Sequence, residues 1–111
     1  MQKDNVRLRH MLDSAKEALV FTEGRSKKDL YENRMLALSL IKEIEIIGEA
    51  ATKLSDETKA KYDKIPWLVI IGMRNHLVHV YFDIDLEALW STVKIDLPPL
   101  ISELEKIVPE E

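Results

Sequence analysis

Leu36, Leu40, Ile44, Ile47, Ala51 and Leu54 recur at three- and four-residue intervals, the spacing that aligns one face of an α-helix. No convincing apolar–polar alternation competes with it. Gly is scarce, and Leu, Ile, Ala, Glu and Lys dominate, which favours helix over strand. The chain is therefore restricted to an all-α fold. A first helix is expected over about Asn5 to Thr22, with Val6, Met11, Leu12, Ala15, Ala18 and Leu19 on its buried stripe and Gly24 as its stop. Ser26, with Asp29 three residues on, caps a second, long helix running to about Leu54. Ser55 caps a short helix through Tyr62. Pro66 opens a third main helix that continues to about Tyr81. Asp85 caps the last helix, which carries Leu86, Leu89, Trp90, Val93 and Leu97. Pro98-Pro99 must kink or break it, and about Leu100 to Val108 resumes the helical pattern. The expected architecture is an up-and-down four-helix bundle with one extra short helix, a single domain over 1–111 with 105–111 as a partly loose tail. A core of this size gains from homodimerisation.

Composition removes several function classes. Cys is absent, so there is no disulfide framework, thiolate metal site or cysteine nucleophile. The three histidines lack a convincing set of partner ligands, so no metal is expected. There is no Gly-rich phosphate loop. No stretch is apolar enough to span a bilayer and no signal-peptide core is evident, which suggests a soluble cytoplasmic protein. The net charge is −4, whereas avid nucleic-acid binders usually carry a basic footprint. Any contact with nucleic acid must therefore be local.

The run Arg74-Asn75-His76-Leu77-Val78-His79-Val80-Tyr81 concentrates polar chemistry in an apolar segment. Arg presents a fixed fork of donors to phosphate, and His carries a proton near neutral pH. Together they point to phosphodiester chemistry on RNA. On a helical wheel Gly72, Asn75 and His79 share one side, with His76 adjacent, so Asn75 could orient His79. Arg74 lies roughly 140° from His79 on that wheel, and only its length would bring both to one ligand. A mid-helix glycine at position 72 costs roughly 1 kcal/mol against alanine, a cost justified where another backbone or a ligand comes close. Plainer roles compete. Arg74 could pair with Glu43 or Glu49 on the long helix. Trp67 and Trp90 suit core anchors, Met35 and Met73 gap-fillers, and the lysines between Lys53 and Lys64 a solvated face.

The sequence resembles the HEPN superfamily in its HepT-like branch. The motif of Arg, four residues, His, one residue and Tyr is met by Arg74, His79 and Tyr81. The likeness extends to Ile47-Gly48-Glu49-Ala50-Ala51, Ile65-Pro66-Trp67, Ile71-Gly72-Met73-Arg74-Asn75, Tyr81-Phe82-Asp83-Ile84-Asp85 and Asp96-Leu97-Pro98-Pro99-Leu100. The resemblance implies a homodimer whose motif helices build a shared cleft. It also implies a metal-independent endoribonuclease toxin, without cofactor, that cuts RNA and spares DNA. Arg74 and His79 would be catalytic, with Asn75 and His76 in support. The implied partner is a minimal nucleotidyltransferase antitoxin that adenylylates Tyr81. The alternative is an inactive HEPN module that docks a nucleotidyltransferase or a nucleotide.

Overall fold

The computed structural model describes residues 2–78 and 83–109. Helix α1 (Gln2–Phe21) buries Leu8, Met11, Leu12, Ala15 and Ala18 along one face. Val6, expected on that face, is 55% exposed and sits at its edge. The chain leaves α1 through Gly24 at φ 70°, the left-handed conformation glycine adopts without steric cost. The Ser26 amide then donates to the Asp29 carboxylate at 2.7 Å and opens α2 (Lys27–Glu32).

The expected single helix from Ser26 to Leu54 is two helices. Asn33 takes an extended conformation and its side-chain oxygen accepts from the Leu36 amide at 3.1 Å. It thus stops α2 and caps α3 (Arg34–Thr52). Asn competes with the helix ladder in this way because its short amide reaches nearby backbone. Along α3 the stripe of Leu36, Leu40, Ile44, Ile47 and Ala51 is buried, with Leu54 just beyond the helix end. This helix is the centre of the molecule, packing against α1 and α2 and against the helices Trp67–Gly72 and Leu86–Ser91.

Helix α4 (Asp56–Lys61) starts as expected at Ser55, whose hydroxyl accepts from the Thr58 amide. Asp4 of α1 reaches the same turn. Its buried carboxylate accepts from the Ser55 hydroxyl at 2.6 Å and from the Thr58 hydroxyl, and these bonds lower its pKa to about 2.

Helix α5 (Trp67–Gly72) follows Pro66 and passes into a 3₁₀ turn, Met73–His76. This corrects the continuous helix expected to Tyr81. Leu77 donates back to the Arg74 carbonyl, Val78 forms a single antiparallel bridge with Ile84, and the Asp85 amide donates to the Leu77 carbonyl at 2.8 Å. Asn, His and β-branched Val are weak helix formers. Here the returning Asp83–Asp85 segment supplies the backbone partners that a longer helix would have supplied. Leu77 is buried at this turn.

Asp85 caps α6 (Leu86–Ser91) by accepting from the Ala88 amide at 3.0 Å. A π-helical turn (Thr92–Asp96) follows, with the Leu97 amide reaching back five residues to Thr92. Helix α7 (Leu97–Ile107) carries Pro98 and Pro99 in its first turn, where missing amides do not interrupt its own ladder. The α-helical register thus breaks ahead of the prolines, as expected. Leu104 and Val108 pack into the core.

Trp67 is buried and its indole N–H is shared between the Lys59 and Tyr62 carbonyls. Trp90 is half-buried beneath Lys94, 5.3 Å from the ring centroid. Met73 fills a core gap, but Met35 is 78% exposed and fills none. Among the described residues no helix is long and apolar enough to cross a membrane. Among the described residues the only strand-like feature is the Val78–Ile84 bridge, and the chain is all-helical.

Candidate functional site

Arg74 sits on the 3₁₀ turn, where α5 has already crossed α3. Gly48 lies at that crossing. A Cβ there would lie 3.4 Å from the Ile71 carbonyl oxygen. The close approach anticipated at Gly72 therefore occurs at Gly48, and a Cβ on Gly72 would meet no atom within 4 Å.

With the turn placed against α3, Arg74 Nε donates to Glu45 Oε2 at 2.6 Å. The carboxylate comes from the long helix, as the plainer reading required, but it is neither Glu43 nor Glu49. Glu43 faces the opposite way and is buried against α1 beside Ser14 and Glu17. Glu49 pairs with Lys53 at 3.7 Å. The Arg74 side chain is 39% exposed and that of Glu45 31%, so the pair stands at an opening. Engaging Nε fixes the guanidinium plane, and its other N–H groups make no hydrogen bond among the described residues. An anchored guanidinium with donors to spare is suited to a phosphate oxygen.

Asn75 and His76 are exposed beside it. His79 and Tyr81 lie outside the described residues. The wheel that aligned Asn75 with His79 no longer applies, because the α-helix ends at Gly72.

The opening is a groove of about 900 Å³ between α1, α3 and the α5–3₁₀ segment. Arg74 and Asn75 form one wall. The opposite wall is α1, which contributes Lys3, Arg7 and His10. Lys42 of α3 and Lys53 at its C-terminal end border it, and Val6, Ile46 and Ile71 supply its apolar lining. Among the described residues no group of three or more His, Asp or Glu side chains is placed to hold a metal ion.

The sequence pattern of the family described as ribonuclease HepT-like matches residues 11–107. The chain belongs to the HepT-like ribonuclease family. A candidate RNase of Methanocaldococcus jannaschii is 36% identical to it, covering 95% of this chain and 98% of that protein. The probable ribonuclease HepT of Thermococcus cleftensis is 33% identical, over 86% of this chain and 91% of its own. A longer M. jannaschii protein, named as a gamma-glutamylcyclotransferase and candidate RNase, is 38% identical over 99% of this chain, which spans 50% of it. No solved structure gives a significant match.

Within this HepT-like chain, sequence reasoning found Arg74 and Asn75 but missed Glu45 and the α1 wall. The signal was present in part. Lys3, Arg7 and His10 are spaced i, i+4, i+7, and Lys42, Glu45 and Glu49 share the outer side of α3. Each stripe reads as an ordinary solvated helix face, and only the crossing of helices sets the two against Arg74.

Proposed function

We propose that this HepT-like chain is a metal-independent endoribonuclease that cuts RNA at a composite cleft between two copies. The observation that carries the reading is Arg74, held through Nε by Glu45 at the wall of a cation-lined groove in a chain of net charge −4. His79 removes the proton from a ribose 2′-hydroxyl. That oxygen attacks the adjacent phosphorus, Arg74 stabilises the growing negative charge, and the 5′-oxygen leaves and takes up a proton. The products are a 2′,3′-cyclic phosphate and a 5′-hydroxyl. Asn75 and His76 orient His79 or the phosphate. DNA is spared because it lacks the nucleophile.

The dimer is supported by the outer face of α5, where Leu68 is 85% and Val69 64% exposed, next to the open side of Gly72. Exposed neighbouring aliphatic side chains of this kind mark an interaction surface. In the cytoplasm the chain acts as the toxin of a pair. Its antitoxin is a minimal nucleotidyltransferase, which moves the adenylyl group of ATP onto the Tyr81 oxygen and releases pyrophosphate. The added phosphate would compete for the donors of Arg74 and His79.

Purified protein should cut RNA in EDTA, and Arg74→Ala and His79→Ala should each abolish cutting while the far-ultraviolet circular dichroism of the protein is retained. Intact RNA with the wild type, together with cellular toxicity unchanged in the double variant, refutes the enzyme. That outcome would favour the second reading, a module that docks a nucleotidyltransferase or nucleotide. The Glu45 carboxylate already neutralising Arg74 is the observation on its side.

A further inference from the structure

The chain has 16 Lys and Arg against 20 Asp and Glu, yet its groove reverses that balance. Lys3, Arg7, Lys42, Lys53 and Arg74 line it, with His10, against only Glu45 and Glu49. Such segregation raises a positive potential inside one concavity of an otherwise acidic molecule, and a low-dielectric floor focuses it. The cations are loosely held. Lys42 stands 3.9 Å from Glu45 and Lys53 3.7 Å from Glu49, exposed pairs of the kind that contribute about 0–1 kcal/mol. Lys3 and His10 form no ion pair among the described residues. Arg7 and Arg74 are the exceptions, Arg7 donating to the Lys53 carbonyl at the end of α3 and Arg74 to Glu45.

The groove also has the dimensions of a ligand site. Its volume of about 900 Å³ is near the top of the range of roughly 300–1,000 Å³ for ligand pockets, far more than one phosphate needs. Its apolar lining is aliphatic, from Val6, Ile46 and Ile71, and among the described residues no Phe, Tyr or Trp lines it, the ring of His10 standing on the α1 side. A polyanion would therefore be gripped chiefly by its backbone, with sugars and bases resting on Val6, Ile46 and Ile71.

We infer that this groove is the seat of the single-stranded RNA flanking the bond to be cut, its phosphates running from Arg74 across α3 to Lys42 and to Lys3 and His10 on α1. The inference rests on the ribonuclease reading and adds a substrate path that the motif does not contain. Two consequences follow from its chemistry. Affinity is dominated by phosphate contacts and so falls steeply with salt. Sequence preference along this path is weak, because phosphate contacts position a strand without reading its bases.

The test uses the full chain and a fluorescein-labelled single-stranded RNA with 2′-O-methyl riboses, which removes the nucleophile. Binding is followed by anisotropy across a salt series for the wild type, for Lys3→Gln/Lys42→Gln, and for Lys61→Gln/Lys64→Gln, an equal charge change beside a small cavity on the α4–α7 side. The groove variant should bind roughly tenfold more weakly at low salt, and its log–log salt slope should drop by about 1.4, at ~0.7 per lost phosphate contact on a single strand. The control variant should match the wild type. With cleavable RNA, the groove variant should raise KM and leave kcat near the wild-type value. Wild-type binding with an unchanged slope in the groove variant overturns the path and leaves the ribonuclease reading standing. Absence of RNA binding by the wild type overturns both. Unchanged RNA binding with lost capture of the nucleotidyltransferase would reassign the groove to a protein partner, and so would also overturn the path.

Discussion

Two glutamates two positions apart on α3 have opposite fates. Glu45 points outward to Arg74 at 2.6 Å, in reach of solvent. Glu43 points inward, and its Oε2 is buried without a hydrogen-bond partner. Burial, reinforced by the neighbouring Glu17 carboxylate, pushes the Glu43 pKa up to about 7, against the partial help of Ser14. An acid whose folded pKa lies above its unfolded value holds its proton on folding, so it stabilises below the unfolded pKa of 4.5 and loses that contribution as pH rises through about 7. Melting temperature should therefore decline between those values. Glu43→Gln should flatten the decline and melt higher than the wild type above pH 7, as read by thermal unfolding across a pH series. A decline of equal steepness in the variant would show that Glu43 is not its source. Asp4 works in the opposite sense. Its pKa of about 2 means that its bonds to Ser55 and Thr58 stabilise the fold above the unfolded value of 3.8 and are lost as pH falls towards 2.

Helix starts were legible because each depends on a few adjacent residues. Ser26, Ser55 and Asp85 all begin helices where their side chains announced them. Asn33 carries the same signal, but the apolar repeat on both sides of it hides the break. Asn33→Ala should remove the cap on the Leu36 amide and cost about 1 kcal/mol, measured by chemical denaturation. No loss of stability would mean that the bond at 3.1 Å does not hold the break. The end of α5 was not legible, because hydrophobic periodicity cannot tell an α-helix from a helix that tightens to 3₁₀ and then turns. Ile70, Met73 and Leu77 keep helical spacing and are all buried, although the backbone between them has left the α conformation. The chain beyond that turn is held by the non-local bond from the Asp85 amide to the Leu77 carbonyl, which no local periodicity contains.

At the scale of the molecule, the outer face of α5 is the most exposed of the apolar stretches. Leu68 and Val69 project from α5 while Trp67 and Ile70 of the same helix are buried. Leu68→Asp/Val69→Asp should leave the fold intact, since both side chains are already in solvent, yet turn a dimer into a monomer in sedimentation and abolish RNA cleavage. A wild type that sediments as a monomer, or a variant that remains dimeric, would remove this face from the assembly. The primary structure by itself determined the all-helical class, the buried stripes of α1 and α3, the caps and the family, because these depend on local spacing, on residue propensity and on motifs read in order along the chain. Only the tertiary structure decided that Arg74 meets Glu45, that the crossing backbone passes beside Gly48 rather than Gly72, and that a lysine-bearing face of α1 lines the same groove as Arg74. Those facts depend on where helices cross, and a crossing is set by the summed packing of many small contacts, which no stretch of neighbouring residues contains.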